Sequence, residues 1–133
     1  MVDATQLVPA LRAALKAQPN VAAAFLFGSF ARGSATEESD VDIAVQGSNV
    51  DPLTLSADLA LQLGREVDIV MLGDAVPYPL LEEILRDGII VHERLGGEAA
   101  LFRSRTLATL VTDRPGFTRM RDAWLRRVAE RGL

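Results

Sequence analysis

Two aspartates, Asp40 and Asp42, follow the pair Gly28 and Ser29 after a gap of ten residues, in the stretch GSFARGSATEESDVD. Paired carboxylates suit a hard cation such as Mg²⁺, which takes one or two carboxylates together with substrate phosphates. A Gly-Ser pair at a strand end presents backbone N–H groups that favour an anion such as a triphosphate. The spacing therefore indicates a metal-dependent site that handles nucleotides.

Two short apolar runs are expected to position these residues. Residues 21–27 form an apolar run that stops at Gly28, which is typical of a buried strand ending in a turn. The next strand is expected over 41–45. Since strand side chains alternate between faces, Asp40 and Asp42 share the face opposite to the valines and isoleucine of that strand. Two carboxylates about 4 Å apart repel by roughly 4 kcal/mol at an effective dielectric constant of about 20, so a cation is expected between them.

A third carboxylate, Asp68, is expected on a later strand over 67–71. Because side chains alternate along a strand, Asp68 projects from the face opposite to that of Val67, Ile69 and Met71. If the two acidic strands adjoin, Asp68 completes a triad that holds two metal ions about 3.5 to 4 Å apart, one for the attacking hydroxyl and one for the phosphates. Asp68 is also a candidate acceptor for the hydroxyl proton.

Other motifs are excluded by the residues present. An EF-hand needs oxygen ligands and a glycine after Asp42, where the chain has Ile43, Ala44 and Val45. A P-loop and a dinucleotide fingerprint are also absent, because there is no Gly-Lys-Ser/Thr and no G-x-G-x-x-G after the first strand. Alone, a Gly-Ser pair is usually a turn, so the interpretation depends on the whole combination.

The remaining pattern predicts an α/β (α+β) fold, a mixed sheet flanked by helices. Helices are expected over 5–17, 51–64 and 77–87, with a last strand over 89–91 and two further helices over 98–111 and 115–131. The order before the tail is helix, strand, strand, helix, strand, helix, strand. Residues 1–95 are expected to form one domain and residues 96–133 a helical extension.

The last predicted helix carries an apolar stripe. Met120, Trp124 and Val128 recur at four-residue spacing, with Phe117 and Leu125 beside them. The extension is expected to pack on the domain or on a partner, and packing on the sheet is the favoured alternative.

Charge is divided unevenly along the chain. Residues 1–93 carry a net charge of −9 and residues 94–133 a net charge of +5. The acidic body should repel nucleic acid, so direct binding of RNA or DNA is not expected. The chain has no cysteine, and it shows no signal peptide and no membrane-spanning run, so a cytoplasmic location is expected.

The stretches GSFARG over 28–33, SDVDIAV over 39–45 and LGREVDIV over 63–70 closely resemble minimal nucleotidyltransferases of the DNA polymerase beta superfamily, the MNT-domain proteins. The resemblance covers roughly residues 5–93. It implies a minimal polymerase-beta-like palm, with Asp40, Asp42 and Asp68 as catalytic and metal-binding residues.

The chain is similar in particular to antitoxins of bacterial HEPN/MNT pairs, also called MntA-HepT and classed as type VII toxin-antitoxin systems. The resemblance implies a protein adenylyltransferase that uses ATP and Mg²⁺, with two ions expected, to attach AMP to a tyrosine of a HEPN ribonuclease toxin. That toxin is the expected partner. Two alternatives stay open: an antitoxin acting by binding alone, and a small-molecule nucleotidyltransferase of the aminoglycoside-modifying type.

The nucleotide site is assigned four residues. By motif position, the resemblance places Gly28 and Ser29 at the triphosphate. Arg32 is added because it lies close enough in sequence to reach a phosphate, although pairing with Glu37 or Glu38 is an equal alternative. Ser39 is added as a possible substrate contact, although capping of the aspartate loop is the favoured role.

Overall fold

The computed structural model describes residues 4–73 and 76–112, together with Arg126. Helices and strands alternate along most of this length, in the order α1 (Ala4–Lys16), β1 (Val21–Phe27), α2 (Gly28–Arg32), β2 (Val41–Gly47), α3 (Pro52–Leu63), β3 (Val67–Met71), α4 (Tyr78–Asp87), β4 (Ile89–Glu93) and α5 (Glu98–Thr112). The expected order omitted α2, which spans little more than one turn and is too short to show a helical period.

The strands form one mixed sheet in the order β3-β2-β1-β4. Strand β1 pairs antiparallel with both β2 and β4, whereas β2 and β3 run parallel. A parallel pair needs a long crossover, and α3 supplies it by carrying the chain from the end of β2 back to the start of β3. The predicted α+β class, with a mixed sheet flanked by helices, is confirmed.

Helices cover both faces of the sheet. On one face, α1 and α3 bury Leu11, Leu15 and Leu59 against Val41 and Ile43. On the other face, α4 and α5 pack over a second apolar cluster, which comprises Ala23, Phe25, Phe27, Ala44, Ile84 and Ala99. All seven residues of β1 are buried because this central strand is covered on both sides.

Helix α3 begins and ends at the residues that its sequence predicts. The Asp51 carboxylate accepts hydrogen bonds from the Leu53 backbone N–H at 3.1 Å and from the Thr54 hydroxyl at 2.8 Å. Pro52 occupies the first turn, and Gly64 ends the helix in the left-handed region with φ of 68°. The Ser56 hydroxyl donates to the Val67 carbonyl and ties α3 to β3.

Helix α5, the first part of the predicted extension, packs on the sheet. The rings of Phe102 and Phe25 lie 5.4 Å apart, and Arg103 donates a hydrogen bond of 2.8 Å to the Gly88 carbonyl. The helix predicted over 115–131 lies outside the described residues apart from Arg126, which is helical and exposed. The division of the chain at residue 95 stays a prediction.

Among the described residues, no helix has both the length and the apolar character that spanning a membrane requires. The cytoplasmic location stays a prediction.

Two leucines on α3 provide a matched test of this packing. Leu59 has no exposed surface, whereas Leu61 is 85% exposed. We expect Leu59→Ala to lower the free energy of unfolding by about 3 kcal/mol, because it leaves a cavity in the core. Leu61→Ala should change it by less than about 0.5 kcal/mol. Urea denaturation of the two variants checks this, and equal effects would contradict the assignment of the buried face of α3.

Candidate active site

Asp42 and Asp68 lie side by side on neighbouring strands. They are direct partners in the parallel pair of β2 and β3, so their side chains project from the same face of the sheet. Strand spacing puts their Cα atoms about 5 Å apart. The condition for the predicted grouping of Asp68 with Asp42, that the two acidic strands adjoin, is therefore met. Asp40 lies in the exposed segment just before β2, two residues from Asp42.

Gly28 lies against the Asp42 carboxylate. It directly follows Phe27, which is the antiparallel partner of Asp42. A Cβ atom on Gly28 would lie 2.3 Å from Asp42 Oδ2, and the backbone there has φ of 73°. Both the close approach and the left-handed conformation exclude a side chain. The glycine therefore lets the start of α2 lie directly against the Asp42 carboxylate.

The first turn of α2 is the position at which the sequence predicts an anion. Its N-terminal boundary residue, Phe27, makes no side-chain capping hydrogen bond. The first backbone N–H groups of a helix have no partner within the helix, and they carry partial positive charge. Ser29, which is half-buried, belongs to this turn. The turn therefore begins beside the Asp42 carboxylate, and phosphate binding by Gly28 and Ser29 stays a prediction.

Burial and neighbouring negative charge raise the pKa of Asp42 to about 6. The largest cause is loss of solvent around the carboxylate, followed by repulsion from Asp68, Asp40 and Glu83. Arg32 acts in the opposite direction and lowers the pKa of Asp42. A strongly perturbed carboxyl group among like charges is a recognised mark of functional sites.

Arg32 pairs with a residue that its sequence neighbourhood does not reveal. Its guanidinium lies 3.6 Å from the Glu83 carboxylate on α4, rather than pairing with Glu37 or Glu38 as the sequence alternative proposed. The pair forms because α4 passes alongside α2. Arg32 is about half exposed, so it can reach an incoming phosphate, and its role in nucleotide binding stays a prediction.

Ser39 makes local contacts within the loop that precedes Asp40. Its hydroxyl accepts a hydrogen bond of 2.8 Å from the Thr36 backbone N–H and lies 3.3 Å from the Thr36 hydroxyl. These contacts agree with the favoured capping role. A contact between Ser39 and a nucleotide is not tested by them and stays a prediction.

Two further residues near the site were missed from the sequence, Glu83 and Arg65. Glu83 reaches Arg32 and Asp42 only through the packing of α4. Arg65 donates hydrogen bonds into the loop before Asp40. It stands three residues before Asp68, and that proximity was the one available signal.

The donor set fits a divalent cation that is completed by its substrate. Asp42 and Asp68 offer carboxylate oxygens in register, and Asp40 adds a third nearby negative charge that raises the pKa of Asp42. Among the described residues, no three His, Cys, Asp or Glu side chains converge as a ready-made metal cage. Mg²⁺ does not require one, since it commonly uses one or two carboxylates, substrate phosphates and water.

The sequence matches the family model described as "Polymerase beta, Nucleotidyltransferase" over residues 10–95. That range includes the Gly-Ser pair and all three aspartates. The chain belongs to the polymerase beta nucleotidyltransferase family. No curated protein sequence matches it significantly.

Solved structures share the fold over nearly the whole chain. A chain from the crystal structure of a toxin-antitoxin with AMP-PNP superposes with a TM-score of 0.71 and 23% identity, covering 89% of this chain and 98% of that one. A chain of the MntA-HepT toxin-antitoxin gives 0.66 and 21%, covering 91% and 98%. A chain from the tri-AMPylated HEPN toxin of Shewanella oneidensis in complex with MNT antitoxin gives 0.60 and 22%, covering 91% and 94%.

Two glycines separate the effect of the Asp42 contact from that of backbone strain. Gly28 and Gly33 both have left-handed φ angles, 73° and 76°, but a Cβ on Gly33 would meet nothing within 4 Å. We expect Gly33→Ala to cost about 1 kcal/mol of stability from strain alone. Gly28→Ala should cost more and should also abolish binding of ATP with Mn²⁺, as measured by calorimetry. Intact binding by Gly28→Ala would contradict the geometry of the site.

The raised pKa of Asp42 predicts an unusual effect on stability. Because the folded pKa is about 6 and the ordinary value is 3.8, the folded state binds the proton more tightly. Metal-free protein therefore loses stability as the pH rises through this window. We expect Asp42→Asn to raise the free energy of unfolding by about 1 kcal/mol at neutral pH, after allowance for solvent screening.

The gain should vanish below about pH 4, where Asp42 is protonated in both states. Thermal unfolding with a chelator at several pH values measures it. Asp58→Asn, on α3 across the sheet, is the matched control and should show no such gain. If Asp42→Asn changes the free energy of unfolding equally at every pH, or lowers it, the raised pKa of Asp42 is refuted.

Proposed function

We propose that this protein is an antitoxin that transfers AMP from ATP to a tyrosine hydroxyl of a HEPN ribonuclease toxin and thereby neutralises it. The observation that carries the proposal is the register of Asp42 and Asp68 beside Gly28, at the start of an uncapped helix. This arrangement combines two carboxylates for a cation with N–H donors for a phosphate, as transfer of a nucleotidyl group requires.

The comparisons support the choice of donor and acceptor. The family membership supports a nucleotidyltransferase reaction. The similar structures include a toxin-antitoxin with the ATP analogue AMP-PNP and a complex that contains a tri-AMPylated HEPN toxin. This chain spans nearly the full length of the chains it matches there, so a role of the same kind suits its size.

Asp40, Asp42 and Asp68 would hold Mg²⁺. When bound, this cation neutralises charge on the triphosphate and on the pyrophosphate that leaves, and it lowers the pKa of an attacking hydroxyl. The raised pKa of Asp42 agrees with this role, because a cation would relieve the repulsion among the carboxylates.

The chain's own groups have distinct tasks in the transfer. The N–H groups at Gly28 and Ser29 bind the phosphates, and Arg32 exchanges Glu83 for a phosphate oxygen. Asp68 is the most exposed of the paired carboxylates and accepts the proton of the tyrosine hydroxyl. The tyrosine oxygen forms a bond to the α-phosphorus, the bond from that phosphorus to the bridging oxygen breaks, and pyrophosphate departs.

The charge of the body favours a protein acceptor over a nucleic acid. Residues 1–93 carry a net charge of −9, and the site adds Asp40, Asp68 and Glu83 around Asp42. Such a surface repels a phosphate backbone that lacks bound cations. A tyrosine hydroxyl is uncharged and can approach without that cost.

The test is a transfer reaction with purified proteins. The chain is incubated with ATP, Mg²⁺ and the HEPN-type ribonuclease proposed as its partner, and the intact mass of the ribonuclease is measured. We expect wild-type protein to add AMP units and to inhibit the ribonuclease. Asp42→Asn should reduce the rate of transfer by at least about a hundredfold, because it removes a cation ligand.

Asp58→Asn makes the same change in charge on the other side of the sheet and should transfer AMP at the wild-type rate. An inhibited but unmodified ribonuclease would overturn the proposal in favour of neutralisation by binding alone. Transfer of AMP to an aminoglycoside, with the ribonuclease unmodified, would overturn it in favour of a small-molecule enzyme.

A further inference from the structure

The Arg65 side chain holds the loop that leads into Asp40. One terminal nitrogen of its guanidinium donates to the backbone carbonyls of Glu37 at 2.9 Å and of Ser39 at 2.8 Å. A longer contact of 3.4 Å reaches the Thr36 carbonyl. Ser39 is the last of these three acceptors along the loop, and it immediately precedes Asp40 in the chain. The guanidinium therefore fixes the backbone at the residue next to a candidate cation ligand.

The same guanidinium contacts the helix that carries the Gly-Ser pair. Its central carbon lies 5.2 Å from the centre of the Phe30 ring, a cation–π distance. Phe30 is fully buried in α2, directly after Ser29. Arg65 itself lies between Gly64 and β3, three residues before Asp68. One side chain thus connects all three segments from which the site is built.

The loop depends on this connection because much of it is exposed. Glu37, Glu38 and Asp40 are exposed, and the hydrogen bonds among Thr36, Glu38 and Ser39 stay within the loop. Those bonds shape the turn, but they do not attach it to the sheet. Buried Ala35 anchors the beginning of the loop, whereas the guanidinium of Arg65 anchors its end.

We propose that Arg65 is a positioning residue that holds Asp40 beside Asp42 and Asp68 and so sets the cation affinity of the site. Repulsion among the carboxylates tends to drive Asp40 away on its exposed loop. The hydrogen bonds to the loop carbonyls oppose that movement. The inference rests on the metal-dependent site of the proposed function, and it concerns binding, before any transfer of AMP.

Three variants test the role of Arg65 through Mn²⁺ binding, which is followed by the electron paramagnetic resonance of the free ion. Arg65→Met removes the donors, and we expect the dissociation constant to rise about tenfold, as for other residues that orient metal ligands. Arg65→Lys keeps an ammonium group with three donors and should stay within about threefold of wild type. Arg65→Gln replaces Arg65→Met, with the same direction of effect, if the latter does not fold.

Arg12→Met is the matched control. It also removes an arginine donor from a backbone carbonyl, that of Ile90 at 3.2 Å, but on β4 at the opposite edge of the sheet. We expect it to leave the Mn²⁺ affinity unchanged whatever it does to thermal stability. A loss of affinity in this variant as large as in Arg65→Met would overturn the proposal, because it would reflect general destabilisation.

A second measurement reports the position of the loop without any cation. A protease that cuts after glutamate should cleave native Arg65→Met after Glu37 and Glu38 several-fold faster than wild type or Arg65→Lys. Unchanged Mn²⁺ affinity in Arg65→Met would overturn the inference, and so would unchanged cleavage, because the loop would then keep its position without Arg65. The proposed function survives a failure of the inference if wild type binds Mn²⁺ and Asp42→Asn does not. If wild type binds no Mn²⁺, the proposed function and the inference both fail.

Discussion

The site is built around one constraint, a half-buried carboxylate, Asp42, that lies close to other carboxylates. Burial against Gly28 removes water from it, and Asp68, Asp40 and Glu83 add repulsion. Arg32 lowers the pKa of Asp42, but it only partly offsets the effects of burial and repulsion, since that pKa still lies at about 6. Grouping carboxylates in this way costs stability. Such a cost is typical of functional sites, whereas the rest of the fold follows the ordinary rules of burial and capping.

The sheet confines the site to one place. One face is closed by α1 and α3, and on the other face α4 and α5 cover the strands so closely that Ala44 has no exposed surface. The acidic face of β2 is therefore accessible at Asp42, near the start of the strand, and is covered two residues later. The accessible part of this face lies at the end of the sheet where α2 begins, so the nucleotide of the proposed reaction would approach there.

The fold and the paired carboxylates were largely predictable because they depend on local patterns. Strand parity places Asp42 and Asp68 each opposite the apolar side of its own strand, and they share one face because β2 and β3 adjoin. A proline and a glycine mark the two ends of α3. The contacts of Arg65 and Glu83 were not predictable. They join segments distant in sequence, and a charged side chain on a surface helix or loop has no periodic signal that names its partner.

The parallel pairing of β2 and β3 has a consequence for how binding and folding are linked. Asp42 and Asp68 stand 26 positions apart and meet only after α3 has crossed over. An unfolded chain therefore lacks this pair, so the cation proposed for the site would stabilise the folded state alone. At a free concentration of about 100 times the dissociation constant, that linkage adds roughly 2.7 kcal/mol. The melting temperature of the protein should thus report how fully its site is occupied.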